Sequence, residues 1–225
     1  MPAANPFRFE RGNRSVPQSS ETPEFKKARK TGHIGVFDEL PKFLSEAQIG
    51  AFFKAIDRLD KPSQVRDRAL YRVMYHRGLR AAEMGLLEVS DWDSSDSTLI
   101  VRRLKGSRSG KYQLVDVEGK ALRAWLRERG SAAGPIFPSR NHQPISRDMV
   151  RKRFLEYALA AGIERRLAHP HTLKHSCGTH VLKMVGSLEE VKDHLGHKSI
   201  QSTEIYAQIL GVTRDKVASK LKGWK

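Results

Sequence analysis

The hydrophobic period of this chain changes once and then changes back. Ile49, Phe52, Phe53, Ile56 and Leu59 recur every three or four residues, the apolar stripe of a helix. Ser45 followed by Gln48 predicts a capping box at its start. A second helix is predicted from near Pro62 and Ser63, with Ala69, Leu70, Val73 and Met74 inward and Gly78 as its C′ residue. A short third helix is expected around Arg80 to Ala82. Then the period becomes that of strands. Residues 97–103 (STLIVRR) and 112–117 (YQLVDV) read as a pair, and KGSRSGK between them as a polar, glycine-containing hairpin loop.

Helical spacing returns from about Glu118, with Leu122, Trp125 and Leu126 on one face and a stop at Gly130. Ser146 is placed as the cap of a helix bearing Val150, Phe154, Tyr157 and Ala161. Further helices are expected from about 172, from 187 with Ser187 as cap, and from 202 with Ser202 or Thr203 as cap. A last amphipathic segment follows Val212. The chain has no internal repeat, and the expected class is α+β, mostly α, with one small antiparallel sheet.

Residues 1–38 carry Pro, Gly, Ser and charge without apolar periodicity, and read as a flexible basic tail containing Lys26, Lys27, Arg29 and Lys30. Such a run suits either a solvated arm or one that tracks DNA. Residues 39–225 form the folded domain. The formal net charge is +16, which calls for a polyanionic partner, and nucleic acid is the first candidate. Cys177 is the single cysteine, so no intramolecular disulfide exists and a reducing compartment fits. No apolar run approaches the roughly 20 residues of a membrane span, and the N-terminus has no secretory h-region. A cytoplasmic, DNA-associated protein is expected.

The C-terminal third concentrates histidines and cations in HPHTLKH (169–175), LGH (195–197) and STEIY (202–206). Four chemistries compete for them. His171 and His175 share a helix face at metal-ligand spacing, but no HExxH motif, Cys pair or evident third carboxylate accompanies them. Cys177 beside histidines suits a thiol nucleophile, with nothing else in support. The histidines also suit plain structural roles, or a phosphate site shared with Lys174.

The order of these segments resembles the conserved boxes of the tyrosine recombinases, or phage integrases. The first box carries an Arg after Gly-Leu, here Gly78-Leu79-Arg80, with Glu83 three residues on. The hairpin lysine matches Lys105, followed by Gly106 as in the family. The His-x-x-Arg-His box reads His171-Thr172-Leu173-Lys174-His175, and the Leu-Gly-His box reads Leu195-Gly196-His197. The nucleophilic tyrosine is expected nine residues after that His, at Tyr206. LPKFLSEAQI also resembles the entry to this domain in integrases and chromosome-dimer-resolving recombinases. The resemblance covers about residues 40 to 215.

The resemblance implies a catalytic domain in which Tyr206 attacks a DNA phosphodiester, Arg80 clamps a non-bridging oxygen and Lys105 protonates the departing 5′-oxygen. It further implies His171 as general base and acid, His197 as a hydrogen-bond donor to phosphate, and Lys174 as a phosphate cation. Glu83 would hold Arg80, and His175 would be a supporting residue. No cofactor or metal is expected. Each residue also has a plainer reading. Arg80 and Glu83 suit an exposed helix ion pair, Lys105 a solvated loop lysine with Lys111 as its rival, and Tyr206 a half-buried structural tyrosine. Cys177 reads as core.

Two departures stand out. Lys174 replaces the second Arg of the family, keeping the charge but losing the planar fork. The basic tail is also too short for the helical core-binding domain that usually closes on the other DNA face. The expected partner is double-stranded DNA, and strand exchange implies a homotetramer on paired sites. Val212, Val217, Ala218 and Leu221 suit either docking on a neighbouring protomer or packing at home. Site-specific recombination is the leading function. A catalytically weak DNA-binding remnant and a type IB topoisomerase are the alternatives.

Overall fold

The computed structural model describes residues 42–59, 61–210 and 221–222; the basic tail and most of the segment after Val212 lie outside them. Helix α1 is Glu46–Arg58 and α2 is Gln64–His76. Short 3₁₀ helices follow at Ala81–Leu86 and Val89–Asp91. Strands β1 (Trp92–Asp93), β2 (Thr98–Val101) and β3 (Gly110–Gln113) come next. The chain then continues as α3 (Asp116–Arg129), α4 (Arg147–Ala160), α5 (His171–Val185), α6 (Leu188–Leu195) and α7 (Gln201–Ile209).

The helix starts follow the expected chemistry. Ser45 Oγ accepts from Gln48 N at 3.2 Å while Gln48 Oε1 accepts from Ser45 N at 2.9 Å, so the capping box is complete. Ser146 and Ser187 cap α4 and α6 with the first of these bonds alone, their Oγ atoms accepting from Met149 N at 3.1 Å and Glu190 N at 3.3 Å. Gly78 takes φ +56 immediately past the Arg77 C-cap, the left-handed residue that ends α2.

The sheet differs from the sequence expectation. It is antiparallel in the order β1-β2-β3, with Leu99 opposite Tyr112 and Val101 opposite Gly110. The expected second strand, 112–117, begins earlier and stops at Gln113, because Asp116 already opens α3. Gly110 and Lys111 therefore belong to the strand rather than to the hairpin loop. The expected third helix is a 3₁₀ helix. The expected cap of α7 is also displaced: Ile200 holds that position, and Thr203 lies inside the helix with its hydroxyl on His197.

Two apolar clusters organise the domain. The larger joins α1 to α4 around Phe52, Tyr71, Phe154 and Tyr157, and includes Leu79, Leu99 and Leu173. The smaller gathers Cys177, Leu182, Val191, Leu195 and Tyr206 where α5, α6 and α7 meet. Helix α5 contributes to both, and that fixes the position of its histidine face.

Candidate active site

The end of α2 sets the first side chain. After Gly78 the chain reverses into the 3₁₀ helix, and Arg80 projects from the turn. Its Nη1 donates to Glu83 Oε1 at 2.9 Å and to Ser107 Oγ at 3.0 Å. Glu83 is fully buried and also accepts from the backbone N–H of Arg80 (2.8 Å) and of Leu104 (3.2 Å). The pair is therefore not the exposed helix ion pair of the plainer reading. Glu83 fixes Arg80 and fastens it to the start of the hairpin turn.

Helix α5 supplies the second set. His171 is exposed in its first turn and meets His175 edge-to-face, with ring centroids 4.4 Å apart. Although the residue is exposed as a whole, partial burial of the imidazole, then Lys174 and Arg80, holds it below its ordinary value. His175 is pushed down to about 4 by burial and by His171, and its ring lies 6.1 Å from that of Tyr206. Lys174 is only 3% exposed. Its Nζ donates to the carbonyl of Gly78 at 2.8 Å, and burial followed by the charges of Arg103 and Arg80 lowers it to about 8. It thus braces the turn that carries Arg80.

His197 and Tyr206 complete the cluster. His197 Nδ1 lies 3.0 Å from Thr203 Oγ1, and its ring is nearly parallel to that of Tyr206 at 6.4 Å. Burial, Lys174 and Arg103 push His197 down to about 4, so it is a neutral imidazole at pH 7. Tyr206 is 1% exposed, more buried than the half-buried expectation. Burial and Cys177 raise its phenol well above the ordinary value, with Arg80 opposing. The ring sits against Gly178, where a Cβ would lie 2.3 Å from Tyr206 Cζ. Cys177 is a core residue, raised to about 11 by burial.

Arg80, Glu83, His171, Lys174, His175, His197 and Tyr206 are therefore brought together. Lys105 is exposed on the turn ahead of Ser107, and its neighbour Leu104, not Lys105 itself, lines the cavity beside Arg80. Lys111 sits in β3 opposite Ile100, where its charge reaches Asp93.

That cavity, about 580 Å³, shows what the sequence reading missed. Arg147 and Arg151 of α4 and His169 line it together with Arg80 and His171. The i, i+4 spacing of two arginines in the first turns of a capped helix was the available signal. Ser107 and Gly178 had no local signal, because their roles depend on contacts far away in sequence. Among the described residues no group of three or more His, Cys, Asp or Glu is arranged to hold a metal ion.

A family model described as the phage integrase family matches residues 42–211. The tyrosine recombinase XerC of Chromobacterium violaceum is 35% identical over 161 residues, covering 68% of this chain and 52% of that protein. The crystal structure of XerA recombinase aligns with a TM-score of 0.70 at 25% identity, over 83% of this chain and 67% of that one. XerH site-specific recombinase bound to difH substrate aligns at 0.72 and 21% identity, over 84% and 56%, a likeness of fold. The chain spans about half the length of the curated relatives it matches.

Proposed function

The chain belongs to the phage integrase family, and from that premise we propose that residues 39–225 are the catalytic domain of a site-specific DNA recombinase. Tyr206 Oη attacks the phosphorus of a DNA phosphodiester, the bond to the 5′-oxygen breaks, and a 3′-phosphotyrosyl ester forms. Attack on that ester by the 5′-hydroxyl of another strand reverses the step and exchanges the strands. The ester keeps the bond energy, so no ATP is consumed. Arg80 holds a non-bridging oxygen, with Glu83 fixing its guanidinium. His171 takes the phenolic proton, supported by His175. His197 donates to the phosphate, Lys174 adds charge behind Arg80, and Lys105 gives a proton to the 5′-oxygen. The partner is double-stranded DNA on which four protomers assemble at paired sites, in the cytoplasm.

The observation that carries this reading is one cluster drawn from four separate elements: Arg80 and His171 line a cationic cavity, and His175, Tyr206 and His197 continue from His171 as a chain of ring contacts behind it. A net charge of +16 suits the phosphate backbone. Tyr206, packed on Gly178, is not at a surface DNA can reach, so cleavage requires the ring to leave that contact. The test is incubation with nicked or suicide duplexes followed by denaturing gels, beside Tyr206→Phe. A protease-sensitive covalent adduct, lost in Tyr206→Phe, is expected. A second reading, a DNA-binding remnant without turnover, draws on Lys174, whose ammonium is spent on the Gly78 carbonyl. Tight binding with no adduct on any duplex would favour it.

A further inference from the structure

Arg103 belongs to none of the motif boxes, yet its side chain runs into the middle of the site. It stands just past β2 and two residues before Lys105, and is 8% exposed. Its Nη2 donates to the carbonyl of Arg77 at 2.8 Å and to that of His194 at 3.2 Å, and Nη1 donates to that of Gly78 at 3.4 Å. The first and third carbonyls end α2, and the second lies in the last turn of α6. Carbonyls at helix C-termini lack intrahelical partners and carry partial negative charge. One planar guanidinium thus spans two helix ends, which a lysine ammonium cannot do with the same fixed fork. Arg103 forms no ion pair among the described residues; the carbonyls of the two helix ends, with the Tyr112 ring 5.8 Å from its Cζ, are what face its charge.

The hairpin is fastened on both flanks. On one side the backbone N–H of Arg103 donates to Ser109 Oγ at 3.0 Å, closing the base of the loop. On the other, Arg108 N donates to the Gly196 carbonyl at 2.7 Å, and Ser107 pairs with His197. Gly196 has φ +64, and a Cβ there would lie 2.7 Å from Arg103 Nε and 2.5 Å from the Arg108 carbonyl oxygen. The Leu-Gly-His turn is therefore closed directly over the Arg103 side chain. Buried Arg103 Nε has no hydrogen-bond partner, so the fork is held where its other nitrogens are used.

Resting on the reading above, we infer that Arg103 is a positioning residue that ties the hairpin carrying Lys105 to the turns carrying Arg80 and His197, so that Lys105 meets the leaving oxygen of the phosphate that the other two hold. It touches no substrate. Its effect passes through Lys105, and that separates it from a core filler. Lys105 acts by protonating the departing 5′-oxygen as the phosphorus–oxygen bond breaks. A bridging 5′-sulfur departs as a thiolate and needs no such proton, because a thiol is far more acidic than an alcohol, with a pKa of about 8.5.

The experiment uses the full chain and the nicked duplex on which the wild type forms its adduct, in two versions, with 5′-oxygen or 5′-sulfur at the scissile bond. Single-turnover cleavage by Arg103→Gln should be roughly a hundredfold slower on the oxygen duplex, the loss expected of a misplaced catalytic group. It should approach the wild-type rate on the sulfur duplex, the pattern also expected of Lys105→Ala, and Arg103→Lys should fall between. Thermal melts check folding. If Arg103→Gln does not fold, Arg103→Lys takes its place, with the same pattern expected. Equal slowing on both duplexes, or wild-type rates on both, overturns the inference while leaving the proposed function standing. Absence of any wild-type adduct overturns the proposed function, and this inference with it.

Discussion

A methyl group on Gly178 would lie within 2.6 Å of three ring atoms of Tyr206, closer than real contacts allow. Gly178→Ala should therefore displace the ring or strain α5, at a cost of roughly 1–3 kcal/mol. Urea unfolding measures it. The cost should persist in a Tyr206→Phe background, which keeps those ring atoms, and vanish with Tyr206→Ala. Persistence with Tyr206→Ala would place the strain elsewhere. Lys174 gives a second prediction. Its ammonium, lowered to about 8, loses its proton as pH rises through that value, whereas nearby phosphate favours the charged form. Wild-type DNA affinity at fixed salt should therefore weaken between pH 7.5 and 9. Lys174→Arg stays charged throughout, so its affinity should stay level and its cleavage should be kept or raised. A parallel fall in both proteins would exclude Lys174 as the titrating group. At this scale the sequence motifs identified the groups that carry charge or nucleophilicity. They were silent on Gly178, Ser107 and Arg103, whose partners lie 27 or more residues away in sequence or on the backbone of other elements.

Local rules governed the elements wherever the deciding contacts were local. The Ser45–Gln48 box, the Ser146 and Ser187 caps and the Gly78 stop all rest on atoms within four residues, and all were readable. Ser45→Ala should accordingly destabilise the domain by about 0.5–2 kcal/mol through loss of the cap on α1. Chemical denaturation measures this, and an unchanged midpoint would mean that α1 is held by Phe52 and Ile56 alone. Elements set by distant contacts leave no such local mark. Strand β1 is two residues long, too short to show alternation, and exists because Trp92 and Asp93 pair with Leu99 and Thr98. Apolar Leu114, Val115 and Val117 extend a strand pattern to 117, past the true end of β3 at Gln113. Leu114 is buried, but Val115 is the exposed N-cap of α3 and Val117 is exposed in its first turn. Ser202 and Thr203 both suit a cap by residue type, but the cap position falls on Ile200 and the Thr203 hydroxyl is engaged with His197, a contact between two motif boxes.

Across the whole molecule, charge was the most legible property and its arrangement the least. A surplus of 16 positive charges could be counted, but not that Lys174, Arg103 and Arg77 are buried together behind the site. Burial, with the charges beside them second, keeps nearby histidines neutral: His76 is lowered to about 3, and His175, His194 and His197 to about 4. An unfolded chain gives each an ordinary value of about 6.5. Between pH 6.5 and 4 the unfolded state therefore binds protons that the folded state refuses, so stability is complete above this window and falls as pH drops through it. Glu118 opposes the trend. Burial raises it to about 7 despite its contact with Arg77, so the folded state gains a proton as pH falls from 7 towards 4.5. One carboxyl against these four imidazoles, with His169, His171 and His180 lowered as well, leaves the net direction unchanged, and the thermal midpoint should fall steadily from pH 7 to pH 5 at constant salt. Bound DNA should flatten that slope, because phosphate beside His171 and His197 favours their protonated forms and narrows the gap to the unfolded values. A midpoint independent of pH would show that these rings exchange protons freely. A slope unaltered by DNA would show that the phosphate binds away from His171 and His197, which the proposed mechanism does not survive.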